Sequence, residues 1–138
     1  MSTDESNQIA DLLKSARTIA VVGLSDNPER VSNGVAAYMQ DHGYRIIPVN
    51  PAIREALGER AYASLQDIPA EEKIDIVDIF RRPEFVPEIV TQAIQRQIPA
   101  VWMQEGVIHE EAAKQAREAG ITVIMDRCIL KEHRQYCR

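Results

Sequence analysis

Two sets of residues in this 138-residue chain have types and spacings suited to chemistry. The first begins at Gly23-Leu24-Ser25, continues through Arg30 and Ser32, and is joined further on by Arg81-Arg82. A glycine where a strand gives way to a helix lets the backbone turn sharply with no Cβ in the way. The free N–H groups and the positive dipole end of the following helix then face one point, a geometry that holds phosphate. Guanidinium groups add bidentate contacts to phosphate oxygens. This set reads as the site of a nucleotide-type cofactor. The second set is Cys128 and His133, near the end of the chain. An imidazole-activated thiolate there would accept an acyl group or form a mixed disulfide. The plainer and favoured reading is a buried packing cysteine and a histidine near a helix end. With Cys137 the pair offers three metal ligands, but the spacing matches no common zinc pattern and no fourth ligand is near. No metal is expected.

The elements that must position the first set follow from periodicity. Ile19 to Val22 is a continuous apolar run, the pattern of a parallel strand covered on both faces. Ser32 is placed to cap a helix with buried positions Val35, Tyr38, Met39 and His42, and Gly43 ends it. Upstream, Ser2 and Glu5 fit a capping box for a helix over about residues 3–15. Tyr44–Val49 reads as the second strand, with Pro48 on a less paired side or at its end. Residues 54–58 read as a loop or short helical turn, and 64–69 as another turn. Ile74–Phe80 is the third strand, and Pro83 opens a helix whose buried face is Val86, Ile89, Val90, Ala93 and Ile94. Pro99–Gln104 is the fourth strand, residues 109–119 a helix closed by Gly120, and Ile121–Met125 the fifth strand. A short terminal helix runs from Cys128 to Tyr136. Trp102, Met103, Tyr38 and Met39 fall on apolar stripes and read as core.

Strand and helix alternate throughout. The pattern predicts an α/β, Rossmann-like three-layer sandwich: a five-stranded parallel sheet in the order 3-2-1-4-5, with right-handed crossovers. Ligands in such sheets lie beyond the carboxyl ends of the strands, at the switch point, here expected between strands one and four. The residues just after the strands are nearly all glycine, amide, hydroxyl or arginine. They include Gly23 and Ser25, Asn50 and Pro51, Arg81 and Arg82, and Gln104 and Gly106. A fold needs turns at these places but not two arginines and two amides.

Composition narrows the partners. The net charge of −5 gives no general basic field for nucleic acid or anionic membrane, so neither is an expected partner. No apolar run approaches the roughly 20 residues of a membrane span. The polar, acidic start MSTDESNQ does not read as a secretion signal. Two cysteines near the end make no disulfide framework, and a reduced, cytoplasmic protein is expected. With no repeat or linker, residues 1–138 read as a single domain. A homodimer or a protein partner remains open.

Among nucleotide cofactors, NAD(P) fits poorly. The G-x-G-x-x-G fingerprint is absent, and Asn50 stands where an acid would hold the ribose hydroxyls. Coenzyme A fits better. It carries a pyrophosphate and a ribose 3′-phosphate, so Arg30, Arg81 and Arg82 would all be useful, and Asn50 would not repel phosphate. The alternative is that these arginines are solvated or paired with Asp26, Glu29 or Glu84.

The blocks VVGLSDNPERVSNGVAAYM, GYRIIPVNP, VDIFRRPEFVPEIV, VWMQEGVIHEEAAKQAREAGI and DRCILKEH occur in order over about residues 18–133. In them the chain resembles the stand-alone CoA-binding domain family, similar to the CoA-binding domain of the succinyl-CoA synthetase alpha subunit. The resemblance implies a Rossmann-like fold with CoA or an acyl-CoA at the strand-end loops. By position, Gly23, Ser25, Arg30, Ser32, Asn50, Pro51, Arg81 and Arg82 would contact it, with Gln104 and Gly106 nearer the pantetheine. The synthetase's active-site histidine segment belongs to a further domain, so ligase activity does not follow. A binding module is the expectation. A thiol-dependent acyl transferase using Cys128, or an NAD(P)-dependent oxidoreductase, is the alternative of a different class.

Overall fold

The computed structural model describes the backbone of residues 2–137 and the side chains of residues 5–137. In chain order the elements are α1 (Ser2–Ser15), β1 (Thr18–Val22), α2 (Val31–Asp41), β2 (Arg45–Val49), β3 (Glu55–Ala56), β4 (Glu59–Arg60), β5 (Ile76–Ile79), α3 (Val86–Gln95), β6 (Ala100–Met103), α4 (Glu110–Glu118), β7 (Thr122–Ile124) and α5 (Ile129–Tyr136). Five of the strands form one all-parallel sheet, and β3 and β4 form a separate hairpin. Of the expected Ser2–Glu5 capping box, the Ser2 side chain lies outside the described residues, and the Glu5 carboxylate accepts from Arg127 Nη2 (2.7 Å). No described helix is long and apolar enough to cross a membrane.

The two faces of the sheet are read from strand alternation. Val22, Val49, Val77, Ile79, Val101 and Val123 face α3 and α4, with Leu65 and Ile68 closing the rim. Ile19, Val21, Ile46, Ile76, Trp102 and Ile124 face α1, α2 and α5. This is the expected three-layer sandwich. Each fully buried Val, Ile or Leu contributes about 1.5–3 kcal/mol relative to exposure, so the two faces supply most of the drive to fold.

The sheet order is β2-β1-β5-β6-β7. Ranked along the chain the five strands stand 2-1-3-4-5. The doubly wound pattern is the expected one, but the third strand lies beside β1 rather than outside β2. Two local features account for this. The segment leaving β2 folds back along its outer edge, where Tyr62 N donates to Pro48 O (3.0 Å) and Asn50 N donates to Tyr62 O (2.8 Å). That edge is thereby taken. Pro48 accepts on it and has no N–H to offer there, in keeping with a proline confined to the less paired side. At the other side of β1, the Asp75 carboxylate accepts from the N–H groups of Arg17 (2.9 Å) and Thr18 (3.0 Å) and pins the start of β5 in place.

Smaller differences also have physical causes. Residues 54–58 are not a helical turn: the chain makes the β3–β4 hairpin, turning at Leu57 (φ 55°) and Gly58. A leucine in the left-handed region hides this turn from a search for Asn-Gly or Asp-Gly. The helix expected at Pro83 enters through a 3₁₀ turn, Pro83–Phe85, before α3. Helix α2 starts at Val31, and Ser32 is not its cap; Arg30 holds that place without a side-chain bond. Trp102 and Met103 are core as expected, whereas Tyr38 is half-buried and turns its hydroxyl to His133.

Candidate functional site

Between β1 and β5 the sheet reverses its winding: α2, after β1, covers one face and α3, after β5, covers the other. The switch point therefore falls between the first and third strands of the sheet rather than the first and fourth. The carboxyl ends of β2, β1 and β5 are laced there. Gly23 N donates to Val49 O, and Phe80 N donates to Val22 O, each at 2.8 Å. Gly23 has φ +90°, and a Cβ at that position would lie 2.9 Å from Phe80 O and 3.1 Å from Arg81 Cδ. Only glycine lets the two loops approach this closely.

Above this crossing is an open cleft of about 610 Å³ lined by Gly23, Ser25, Glu29, Arg30, Val31, Ser32 and Phe80. Its floor is held by a compact set of bonds. Ser32 Oγ accepts from Ser25 N (3.0 Å) and Asn33 Nδ2 donates to Ser25 O (2.9 Å). Ser25 Oγ in turn accepts from Asn27 N (3.0 Å), and Asn27 Oδ1 accepts from Glu29 N (2.9 Å). The loop is thus shaped by its own hydroxyl and amide side chains, the usual role of such residues before a helix. Asn33 N and Gly34 N turn back to Arg30 O. The opening N–H groups of α2, at Val31 and Ser32, have no intrahelical acceptor and stand at the cleft wall. An anion here would meet those N–H groups, the helix dipole and the Arg30 guanidinium.

The expected residues divide into those that line this cleft and those that do not. Gly23, Ser25, Arg30 and Ser32 line it, with Ser32 acting on the Ser25 backbone. Arg81 adjoins it through Gly23, and its guanidinium lies 4.0 Å from the Phe85 ring centroid. Arg82 points outward, 74% exposed, with Nε 4.0 Å from Glu84. Asn50 is a tie between loops: Nδ2 donates to Leu24 O and Oδ1 accepts from Ala52 N, both at 2.9 Å. Pro51 follows in the exposed turn. Gln104 is buried, and its Oε1 accepts from Ile129 N (3.1 Å), so it clasps the start of α5. Gly106 N donates to Asp126 Oδ1 (2.8 Å) at the β6–β7 end of the sheet.

Sequence reasoning missed Phe80 and Val31 as parts of this wall, and Asn33 as the tie that holds the Ser25 loop. The signal for Asn33 is a buried amide one residue after a serine near a helix start; Phe80 carried only its place at a strand end.

Cys128 and His133 do not form a nucleophile and base. Cys128 is buried at the N-cap of α5, and among the described residues no hydrogen bond joins it to His133. His133 Nδ1 is instead 3.0 Å from the Tyr38 hydroxyl. Burial, reinforced by the nearby His42, pulls its pKa below the ordinary 6.5. No group of three or more His, Cys, Asp or Glu among the described residues is placed to hold a metal ion.

One buried acid stands out. Asp78, in β5 between Val21 and Trp102 in register, is 2% exposed, and its Oδ1 has no hydrogen-bond partner. Burial alone drives its pKa well above the ordinary 3.8 and favours the neutral acid. A larger depression, about 780 Å³, lies at the opposite end of the sheet between Lys73–Ile74 and Gln95–Pro99. There the Arg96 guanidinium is spent on the carbonyls of Leu65, Ile68, Pro69 and Glu72. It reads as a structural tie, remote from the strand ends where ligands bind in this architecture.

A doubly wound parallel sheet with a glycine crossing and an open helix N-terminus at its switch point is a geometry suited to a phosphate-bearing ligand. The family profile described as CoA binding domain matches residues 17–134, and the chain belongs to that family. It is 46% identical over 133 residues to the Bacillus subtilis (strain 168) protein YneT, covering 96% of this chain and 97% of that one. It is 26% identical over 130 residues to the alpha subunit of acetate–CoA ligase (ADP-forming) II from Pyrococcus furiosus, covering 86% of this chain but 28% of that subunit. In structure it is similar to a protein from Pyrococcus horikoshii OT3, with TM-score 0.92 and 40% identity over 96% of this chain and 92% of the other.

Proposed function

We propose that the protein is a coenzyme A or acyl-CoA binding module whose cleft at the ends of β1, β2 and β5 holds the phosphate-bearing part of the ligand. The observation that carries the reading is the crossing at Gly23. It brings the open first turn of α2 and Arg30 to the switch point of a domain in the CoA binding family. The pyrophosphate would lie against the Val31 and Ser32 N–H groups, with Arg30 and Arg81 beside it. The ligase relatives support CoA as the ligand class. Their catalysis belongs to proteins of which this chain matches a minor part. Among the described residues no hydrogen bond joins Cys128 to a histidine base, which favours binding over thiol-dependent acyl transfer.

Calorimetric titration with CoA, acetyl-CoA, NAD and NADP tests the proposal. Saturable binding of the CoA species with little heat from NAD(P) is the expected result. Binding of NAD(P) without CoA would overturn it, as would silence toward all four.

A further inference from the structure

Helix α5 is held to the rest of the molecule at several points, among them the buried Ile129 side chain and the exposed Lys131–Glu105 pair (3.1 Å). At its start, Ile129 N donates to the buried Gln104 Oε1. In its middle, His133 is 5% exposed and enters a nest of rings. Its centroid lies 5.4 Å from that of Tyr38, 5.0 Å from that of His42 and 5.7 Å from that of Tyr44, all three edge-on. Tyr38 and His42 stack on each other at 4.0 Å, and His42 Nδ1 is 2.7 Å from Tyr38 O. The Tyr44 hydroxyl is spent on Leu13 O. The helix also touches α1, where Tyr136 bonds Ser6 (3.1 Å). Just before α5, Arg127 pairs with Glu5 at 2.7 Å.

The charged and titratable groups near His133 come from several elements. From α2 comes His42; from α5 itself come Arg134, 6.0 Å over the Tyr38 ring, and Cys137. Lys14, in the last turn of α1, and Arg17, just beyond it, wall a small cavity of about 200 Å³ together with His42, Tyr44 and Cys137. The neighbouring acid Glu132 is directed to Arg127 instead, at 3.8 Å. Among the described residues no carboxylate hydrogen-bonds His133, and a proton added to it would be buried among rings with the His42 imidazole centroid 5.0 Å away; burying a charge without a partner is strongly disfavoured.

We infer that α5 is a lid whose docking is set by the charge of His133: the neutral imidazole holds the helix against α2, and protonation releases it, uncovering Cys128 and Trp102. The sign follows from linkage. The released histidine titrates near 6.5, and the docked one at lower pH because burial and His42 oppose its charge. The open lid therefore binds more protons between these values. Docking is strongest above pH 6.5 and weakens as pH falls through and below it. The cluster stands apart from the cleft, so the inference does not rest on the ligand reading.

The single tryptophan reports the event directly. Trp102 is fully buried, and its Nε1 donates to Arg127 O (2.8 Å) at the root of the lid. The experiment follows Trp102 emission from pH 7.5 to 5, together with labelling of Cys128 by 4,4′-dithiodipyridine. Sites are assigned by mass spectrometry, and rates are normalised to glutathione at each pH. In the wild-type protein the emission should shift to longer wavelength below pH 6.5. Cys128 labelling should rise about tenfold per pH unit, the slope of one linked proton, with most far-UV helicity retained. His133→Phe, which keeps a ring in the nest, should flatten both responses. His133→Gln, which keeps polar capacity without titrating, should do the same and serves if the phenyl variant does not fold. Wild-type responses that stay flat to pH 5, or that persist unchanged in the folded variants, would overturn the inference.

Discussion

Replacing Gly23 by alanine tests the architecture of the cleft most directly. Two costs add. At φ +90° an L-residue is strained by about 1–2 kcal/mol. The new Cβ also meets Phe80 O at 2.9 Å and Phe80 C at 3.1 Å. These are backbone atoms, and Phe80 N is bonded to Val22 O, so they cannot withdraw without loosening the β1–β5 ladder. Overpacking of this kind costs about 1–3 kcal/mol, which brings the total to roughly 2–5 kcal/mol. That is a large share of the roughly 5–15 kcal/mol that holds a typical domain. Gly43→Ala is the matched control: φ is +98°, but no atom lies within 4 Å, so only the backbone cost of about 1–2 kcal/mol applies. Urea unfolding of both variants isolates the contact as the difference between them. CoA titration of Gly23→Ala should show affinity lost together with stability. Equal destabilisation by the two substitutions, or Gly23→Ala with unchanged affinity, would refute the reasoning that the loops must touch at Gly23.

Three further outcomes are expected. Asp78→Leu should stabilise the fold by about 1–3 kcal/mol at neutral pH, because a buried carboxyl oxygen without a partner is removed. With its folded pKa raised, Asp78 favours folding fully only below the unfolded value near 3.8, and this is lost as pH rises. The gain should thus shrink toward pH 4 in a pH series of urea melts. Arg30→Ala should weaken CoA binding by about 1.5–3 kcal/mol, the size of a charge-assisted bond, while Arg82→Ala, exposed and beside Glu84, should cost less than about tenfold in affinity. Arg96→Ala should cost roughly 2–4 kcal/mol of stability by freeing four carbonyls, yet leave CoA affinity unchanged, since it lies at the far end of the sheet.

The alternation of apolar runs and amphipathic stretches determined the layers, because periods of 2.0 and 3.6 residues are local properties of the chain. The same local chemistry marked Gly23, Ser25 and Arg30, since a glycine turn before a helix is legible from neighbours alone. The blocks shared with the CoA-binding family were legible in the same way. What the tertiary structure decided was set by partners far apart in sequence. The place of the third strand beside β1 depends on Asp75 reaching the N–H groups of Arg17 and Thr18, and on Tyr62 taking the outer edge of β2. Asn50 and Gln104 have the expected residue type at the expected strand ends, yet their amides are engaged with Leu24 O, Ala52 N and Ile129 N. Ser32 has a capping residue's chemistry, but its hydroxyl serves the Ser25 backbone seven residues back. The hydrogen-bonding capacity of a side chain is written in its type. Which donor or acceptor uses that capacity is decided only when packing brings distant backbone groups within about 3 Å, and that selection turned a row of strand ends into one cleft.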